Sequence, residues 1–208
     1  MRLILASSSP RRKEILGLLG IEFEVVEPQF DETLIADRPA RDEVLDFALG
    51  KARSVAREKP ESIVIASDTL ILLNGIKIGK PEDVDDAKRI LRALAGKTHR
   101  IFTSVALLDG TGGPGLRIVE EVSVKMRAFT DPEIERYLAL NESLDKAGAY
   151  SIQGEGGALI EAIEGDYLAA VGLPLKPIAD YLASRGIRIP LDIEKLYAEK
   201  SYRNWGEF

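Results

Sequence analysis

Between Ser62 and Leu73 the chain reads SIVIASDTLILL, two apolar runs interrupted by Ser67, Asp68 and Thr69. Aspartate is depleted in strands, and an ionised carboxylate among β-branched and leucine residues is costly unless it is paired, hydrogen-bonded or on a metal. Asp68 is therefore read as functional, the alternative being a strand-end turn. A second anomaly lies in LILASSSPRRKEILGLL, where Ser9 and Pro10 give an N-cap followed by proline at the first helical position. Arg11, Arg12 and Lys13 then fall in the first turn, where the macrodipole already places about half a positive charge. The helix predicted at Pro81 obeys the opposite rule, with Glu82, Asp83, Asp85 and Asp86 at its start and Lys88, Arg89 and Arg92 further along. Serine hydroxyls, free backbone N–H groups and paired arginines suit a phosphate chain; a solvated basic patch is the plainer explanation.

Two lysines are also misplaced. Pro39 to Glu58 is a predicted helix with Val44, Phe47, Ala48, Ala52 and Val55 on one face. At about 100° per residue, Lys51 lands about 20° from Val44, inside the apolar stripe. A buried ammonium needs a partner, either an internal carboxylate or a ligand phosphate. Asn74 and Gly75 predict a type I′ hairpin joining LILL to IKIG, which returns Lys80 toward Asp68. Asp31 and Glu32 stand in PQFDET, a polar turn in which paired acids are solvated, cap a helix or bind a metal or water. In LDKAGAYSIQGEGG the glycines permit close backbone approach, and Gln153 offers a donor and an acceptor suited to the edge of a nucleobase.

The positioning elements follow from periodicity. Strands are expected near Leu3, at 22–27, as two runs within 62–73 broken at Ser67 to Thr69, and at 76–79, 98–109, 116–126 and 158–163. Helices are expected after Pro10, Pro39, Pro81, Asp131 and Pro174, the third burying Val84, Ala87, Leu91 and Leu94. The GTGGPG turn joins the two long strands, and Glu120 and Glu121 read as solvated charges. Hairpins and crossovers intermix, which predicts an α/β fold with a mixed sheet. The C-terminal stretch 187–208 reads as a short helical tail whose Tyr202 and Trp205 pack on the body or on a partner subunit.

Composition narrows the chemistry. The 208 residues fit one large domain or two small lobes, and 45% hydrophobic content suffices for a core. A net charge of −6 argues against wholesale nucleic-acid binding, so a local basic pocket fits a small polyanion better. With no cysteine and a single histidine, thiolate and multi-histidine metal sites are excluded. A metal must be a hard cation held by carboxylates, magnesium or manganese. His99, in THRIFTSVAL, reads as structural or exposed. Met1 leads almost directly into the first strand and no apolar stretch reaches membrane-spanning length, so a soluble cytoplasmic protein is expected.

A cationic helix start, two lysines, an isolated aspartate, an acidic pair and a glycine-rich loop with an amide describe a metal–polyphosphate site with a base reader. The motifs SSSPRR at Ser7 to Arg12, SDT at Ser67 to Thr69, GKP at Gly79 to Pro81, GKTH at Gly96 to His99, LDKAGAYSIQG at Leu144 to Gly154 and VGLPL at Val171 to Leu175 resemble the Maf family of nucleoside triphosphate pyrophosphatases. The resemblance spans roughly residues 1 to 185. It implies an ITPase/Maf-like fold, a twisted mixed sheet with flanking helices forming two lobes around a central cleft. It also implies hydrolysis of a nucleoside triphosphate to the monophosphate and pyrophosphate with a divalent metal. By the same resemblance Asp68 is the proton acceptor, Glu32 and Asp68 the metal residues, and Ser7, Arg12, Lys51 and Lys80 the phosphate site. Arg11, Thr69 and Gln153 match the dTTP/UTP branch; members acting on 7-methyl-GTP typically replace that threonine. Leu168 and Ala169 stand where many members have Ser-Asn, so no polar contact is expected from that loop. A homodimer is compatible with the family, and a nucleotide-binding regulator of septum formation or growth arrest is the competing function. The absence of a G-x-x-x-x-G-K-[ST] loop disfavours other phosphate-transfer folds.

Overall fold

The computed structural model describes residues 2–110, 113 and 115–208. Its strands are β1 (Arg2–Ala6), β2 (Glu24–Val26), β3 (Ser62–Leu73), β4 (Ile76–Ile78), β5 (Thr98–Asp109), β6 (Leu116–Met126) and β7 (Ile160–Glu164). Its α-helices are α1 (Pro10–Gly17), α2 (Ala40–Ala56), α3 (Val84–Leu94), α4 (Asp131–Leu138), α5 (Tyr167–Val171), α6 (Leu175–Ser184) and α7 (Ile193–Glu199). The strands form one sheet in the order β2-β1-β3-β5-β6-β7, with β4 paired to β3. β1 runs parallel to β2 and β3, while β3, β5, β6 and β7 pair antiparallel, so the sheet is mixed as expected.

Side chains alternate across the sheet. Leu3, Leu5, Ile63, Ile65, Ile101 and Val105 join the large core packed by α1 and α3–α7. Ile4, Ala6, Val64, Ala66 and Ala106 face the other way, onto Ala48, Leu49, Ala52 and Val55 of α2. β3 is unbroken through Ser67, Asp68 and Thr69. The expected interruption does not occur because each of these polar side chains finds a partner, as described below.

What does change at Ser67 is the strand's edge. β5 follows one side of β3 from Ile63 to Leu72. The opposite side is shared: β1 pairs with Ser62 to Ala66 and β4 with Ile71 to Leu73. Residues 67–70 are left between them with no strand on that side among the described residues. The chain leaving β1 at Ser7 and the chain leaving β4 at Gly79 both turn beside this gap. The hairpin that sets this arrangement has Asn74 at φ 51° and Gly75 at φ 83°, as a type I′ turn requires.

Some expectations are corrected. α3 starts at Val84, capped by the Asp83 side chain accepting from Asp86 N at 2.8 Å. Val84 is 54% exposed in that first turn, and Ile90 joins Ala87, Leu91 and Leu94 in the core instead. Glu121 is exposed and pairs with Arg100 as a surface charge would, but Glu120 is half-buried. Met1 and, in the GTGGPG turn, Thr111, Gly112 and Pro114 lie outside the described residues.

Two further segments bear on the site. Residues 27–39 form a strap without helix or strand between β2 and α2. It is pinned at Phe30, whose ring lies where a Cβ on Gly50 of α2 would be. It is pinned again at Ile35: buried Glu43 of α2 accepts from Ile35 N at 2.5 Å and pairs with Lys77 Nζ at 2.6 Å. Lys77 in turn donates to Ile35 O at 2.5 Å. The second segment is the tail, where Trp205 stacks on Tyr167 at 5.3 Å with an 11° interplanar angle. Tyr202 and Trp205 are buried, so the aromatic residues pack on the body.

Candidate active site

β3 divides its functional residues between the two faces of the sheet. Asp68 shares the parity of Val64 and Ala66, and so points toward α2. Lys51, inside the apolar stripe of α2 and 5% exposed, meets it: Nζ lies 2.5 Å from Asp68 Oδ1 and 2.7 Å from Glu32 Oε1. Of the two partners open to Lys51 from sequence, the internal carboxylate is the one observed. Of the acidic pair, Glu32 reaches this site, while exposed Asp31 accepts from Thr33 Oγ1 at 2.9 Å. Burial raises the Asp68 pKa above the usual carboxylate range, opposed by the charges of Lys51 and Arg12. Asp68 is thus a stronger base than a free aspartate.

Ser67 and Thr69 point to the other face. Ser67 Oγ donates to Gly172 O at 2.9 Å. Thr69 lies directly across from Thr103 of β5, and their hydroxyls are 3.1 Å apart. Thr103 gives its proton to Ala169 O at 2.8 Å, so Thr69 is the donor in that pair. Thr69 Oγ1 then accepts from Arg12 Nη2 at 3.2 Å, and Arg12 Nε donates to Gly172 O at 3.0 Å. Arg12 is therefore fixed by two partners, neither of them a carboxylate. Burial lowers its pKa, with the nearby Asp68 charge opposing; an arginine nevertheless stays charged at neutral pH. The expectation of no polar contact here is corrected: Leu168 and Ala169 lie in helix α5, and the main-chain carbonyls of Ala169 and of Gly172 just beyond it accept these bonds.

At the start of α1, Ser9 Oγ accepts from Arg12 N at 3.5 Å, and Ser7 Oγ accepts from Ser9 N at 3.1 Å. No acidic residue occupies the first turn. Arg11 reaches Asp145 across the gap at 3.5 Å, a long and partly exposed pair of small energetic worth. A cavity of about 490 Å³ opens here, lined by Ser7, Arg11, Arg12, Glu32, Lys51, Asp68, Thr69 and Lys80. Leu34, Phe47, Ile101, Tyr150 and Ile152 add apolar wall. Gln153 is not among the lining residues, although Ser151 and Ile152 are. It is half-buried at the rim, where its Oε1 accepts from Tyr202 Oη of the tail at 3.2 Å.

His99 is buried, as a structural histidine would be, with Nε2 2.7 Å from the Tyr150 hydroxyl. Burial pushes its pKa down to about 4. Sequence reading missed Thr103, the carbonyl of Gly172 and the Glu43–Lys77 pair. Thr103 had a signal, a hydroxyl amid the apolar alternation of β5. A main-chain carbonyl has none.

Three carboxylates line this cavity: Asp68 and Glu32, both engaged by Lys51, and Asp145, which pairs with Lys146 at 2.5 Å and Arg11 at 3.5 Å. Among the described residues no group of three or more His, Cys, Asp or Glu could hold an ion by itself. That donor set fits a hard divalent cation such as magnesium, which commonly takes one or two carboxylates and completes its shell with substrate phosphates.

An open α/β sheet whose site lies beyond the carboxyl end of a parallel strand, at the start of a helix, belongs to the class that binds anionic ligands at such crossover points. The chain belongs to the Maf-like protein family, whose model matches residues 2–185. A dTTP/UTP pyrophosphatase of Dictyoglomus turgidum is 48% identical over 83% of this chain and 90% of its own length. A dTTP/UTP pyrophosphatase of Moorella thermoacetica is 41% identical over 90% of this chain and 97% of its own. The Staphylococcus aureus Ham1 protein superposes with a TM-score of 0.43 at 15% identity, over 61% of this chain and 72% of that one. No helix among the described residues is long and apolar enough to cross a membrane.

Proposed function

We propose that this protein hydrolyses dTTP and UTP, and related pyrimidine nucleoside triphosphates, to the monophosphate and pyrophosphate. The observation that carries the reading is the single cavity shared by Asp68, Glu32, Lys51, Arg11, Arg12 and Lys80. Relatives at 41% and 48% identity with that activity in their names support the substrate class.

In this reading water attacks the α-phosphorus, the bond from that phosphorus to the bridging oxygen breaks, and pyrophosphate leaves. Asp68 accepts the proton of the attacking water. Its raised pKa supports the role, and Lys51 holds the carboxylate in place. Ser7, Arg12, Lys51 and Lys80 bind the triphosphate, and the cations stabilise charge growing on the leaving group. Glu32 and Asp68 would hold a magnesium or manganese ion, which supplies Lewis-acid activation of water and neutralises phosphate charge. Arg11, Thr69 and Gln153 set base and branch specificity, with Thr69 contributing through its bond to Arg12.

The same reading takes residues 1–208 as one domain of two lobes with 187–208 as its tail, acting in the cytoplasm and able to form a homodimer. The test is a panel of nucleoside triphosphates with magnesium or manganese, assayed separately for monophosphate and pyrophosphate. dTTP and UTP are expected to yield both. Release of orthophosphate alone would place the protein in another reaction class.

A further inference from the structure

The tail lies beyond the segment that the family model covers, yet it grips the glycine-rich loop at the cavity rim. Asn204 Nδ2 donates to Ile152 O at 3.1 Å and to Gly154 O at 3.0 Å, bracketing Gln153 on both sides. Asn204 holds this position in the left-handed conformation, φ 58°. Between the two carbonyls, Tyr202 Oη donates to Gln153 Oε1 at 3.2 Å. Among the described residues the Gln153 Nε2 group has no acceptor. The neighbouring Arg203 engages Glu14 of α1, Nε to Oε1 at 3.0 Å, which ties the tail to the helix carrying Arg11 and Arg12.

An amide is ambiguous as a base reader, because it presents a donor or an acceptor according to which end is turned inward. A partner that occupies one end removes the ambiguity. We propose that Tyr202 is a positioning residue for base recognition: by binding Gln153 Oε1 it leaves the amide NH₂ as the group offered to the nucleobase. An NH₂ donor is matched by a carbonyl oxygen and opposed by an amine. The site then prefers pyrimidines with a keto group at position 4, as in uracil and thymine, over those with an amino group, as in cytosine. Burial raises the pKa of the Tyr202 phenol, with the charge of Glu14 and a hydrogen bond to its carboxylate adding to the effect, so the hydroxyl keeps its proton at neutral pH and shares it between Gln153 Oε1 and Glu14.

This inference rests on the proposed pyrophosphatase activity, and one set of assays separates the two. Pyrophosphate release from UTP and from CTP is measured as kcat/KM for the wild type, Tyr202→Phe and Asn204→Gly. Phenylalanine keeps the ring beside Tyr167, and glycine keeps the left-handed backbone of residue 204, so melting temperatures are expected to stay close to wild type. The wild type is expected to favour UTP. Tyr202→Phe is expected to narrow the UTP/CTP ratio about tenfold, the scale of one hydrogen bond, with Asn204→Gly acting in the same direction. A ratio unchanged in Tyr202→Phe, an equal loss on both nucleotides, or a wild type that favours CTP would each overturn the assignment. A wild type that releases pyrophosphate from neither nucleotide would overturn the underlying activity, and the positioning role with it.

Discussion

Helix α2 carries two buried ion pairs, and they differ in what surrounds them. Glu43 and Lys77 form a closed set: Glu43 Oε1 accepts from Ile35 N, Oε2 meets Lys77 as an ion pair without a hydrogen bond among the described residues, and Lys77 also donates to Ile35 O. Lys51, Asp68 and Glu32 form an open one. Two carboxylates share a single ammonium, Arg12 stands nearby held only by neutral oxygens, and all four residues border the same cavity. A buried pair is weak evidence of stabilisation, because desolvation offsets much of the attraction. The difference teaches that burial of charge does not by itself mark a site. What marks this one is charge left available to something outside the chain.

Substitutions should separate the two sets. The largest effect is expected from Asp68→Asn, which keeps the shape of the side chain and removes its basicity. Pyrophosphate release should fall by about 10³-fold or more while nucleotide binding, followed by calorimetry, survives. Near-normal turnover would remove Asp68 from the chemistry. Glu43→Gln strands Lys77 in a buried position and should cost about 3 kcal/mol in urea unfolding. Adding Lys77→Met should recover much of that loss, since the closed pair serves the fold alone; no recovery would mean that the two groups are not energetically coupled.

His99 sharpens the comparison as a buried titratable group with, among the described residues, no charged partner and no hydrogen bond to its Nδ1. Its folded pKa of about 4 lies below the ordinary 6.5. Between those values the unfolded chain binds the extra proton, so stability is full above pH 6.5 and falls as pH drops toward 4. The loss amounts to at most about 3.4 kcal/mol, from 1.36 kcal/mol per unit. His99→Gln, whose amide can still meet the Tyr150 hydroxyl, should show a shallower decline over the same interval. Identical slopes for the two proteins would assign the decline to carboxylates instead.

Much of this was legible in the chain. The long strands β5 and β6, the Asn74–Gly75 turn and the serine–proline start of α1 obey local rules, and local rules survive into the structure. Asp68, Lys51 and the arginines were legible for the opposite reason, because each breaks such a rule. The continuity of β3 was hidden, since whether three polar residues interrupt a strand depends on partners distant in sequence: Lys51, Gly172 and Thr103. Glu43 was hidden too. A glutamate near a helix start satisfies the macrodipole and gives no hint that its carboxylate is buried against Lys77. Gln153 stood out by its glycine neighbours, but its hold by Tyr202 lies 49 residues away in sequence.

The two moorings of the strap, at Phe30 and Ile35, leave only a few residues between them, with Glu32 in that interval. At no more than about 3.6 Å per residue, so short a bridge can carry its carboxylate over only a narrow arc. The acid facing Lys51 is thus confined by chain length as much as by its own contacts. Lengthening the bridge by even one residue would slacken this tether and loosen Glu32 against Lys51, together with Leu34 of the cavity wall.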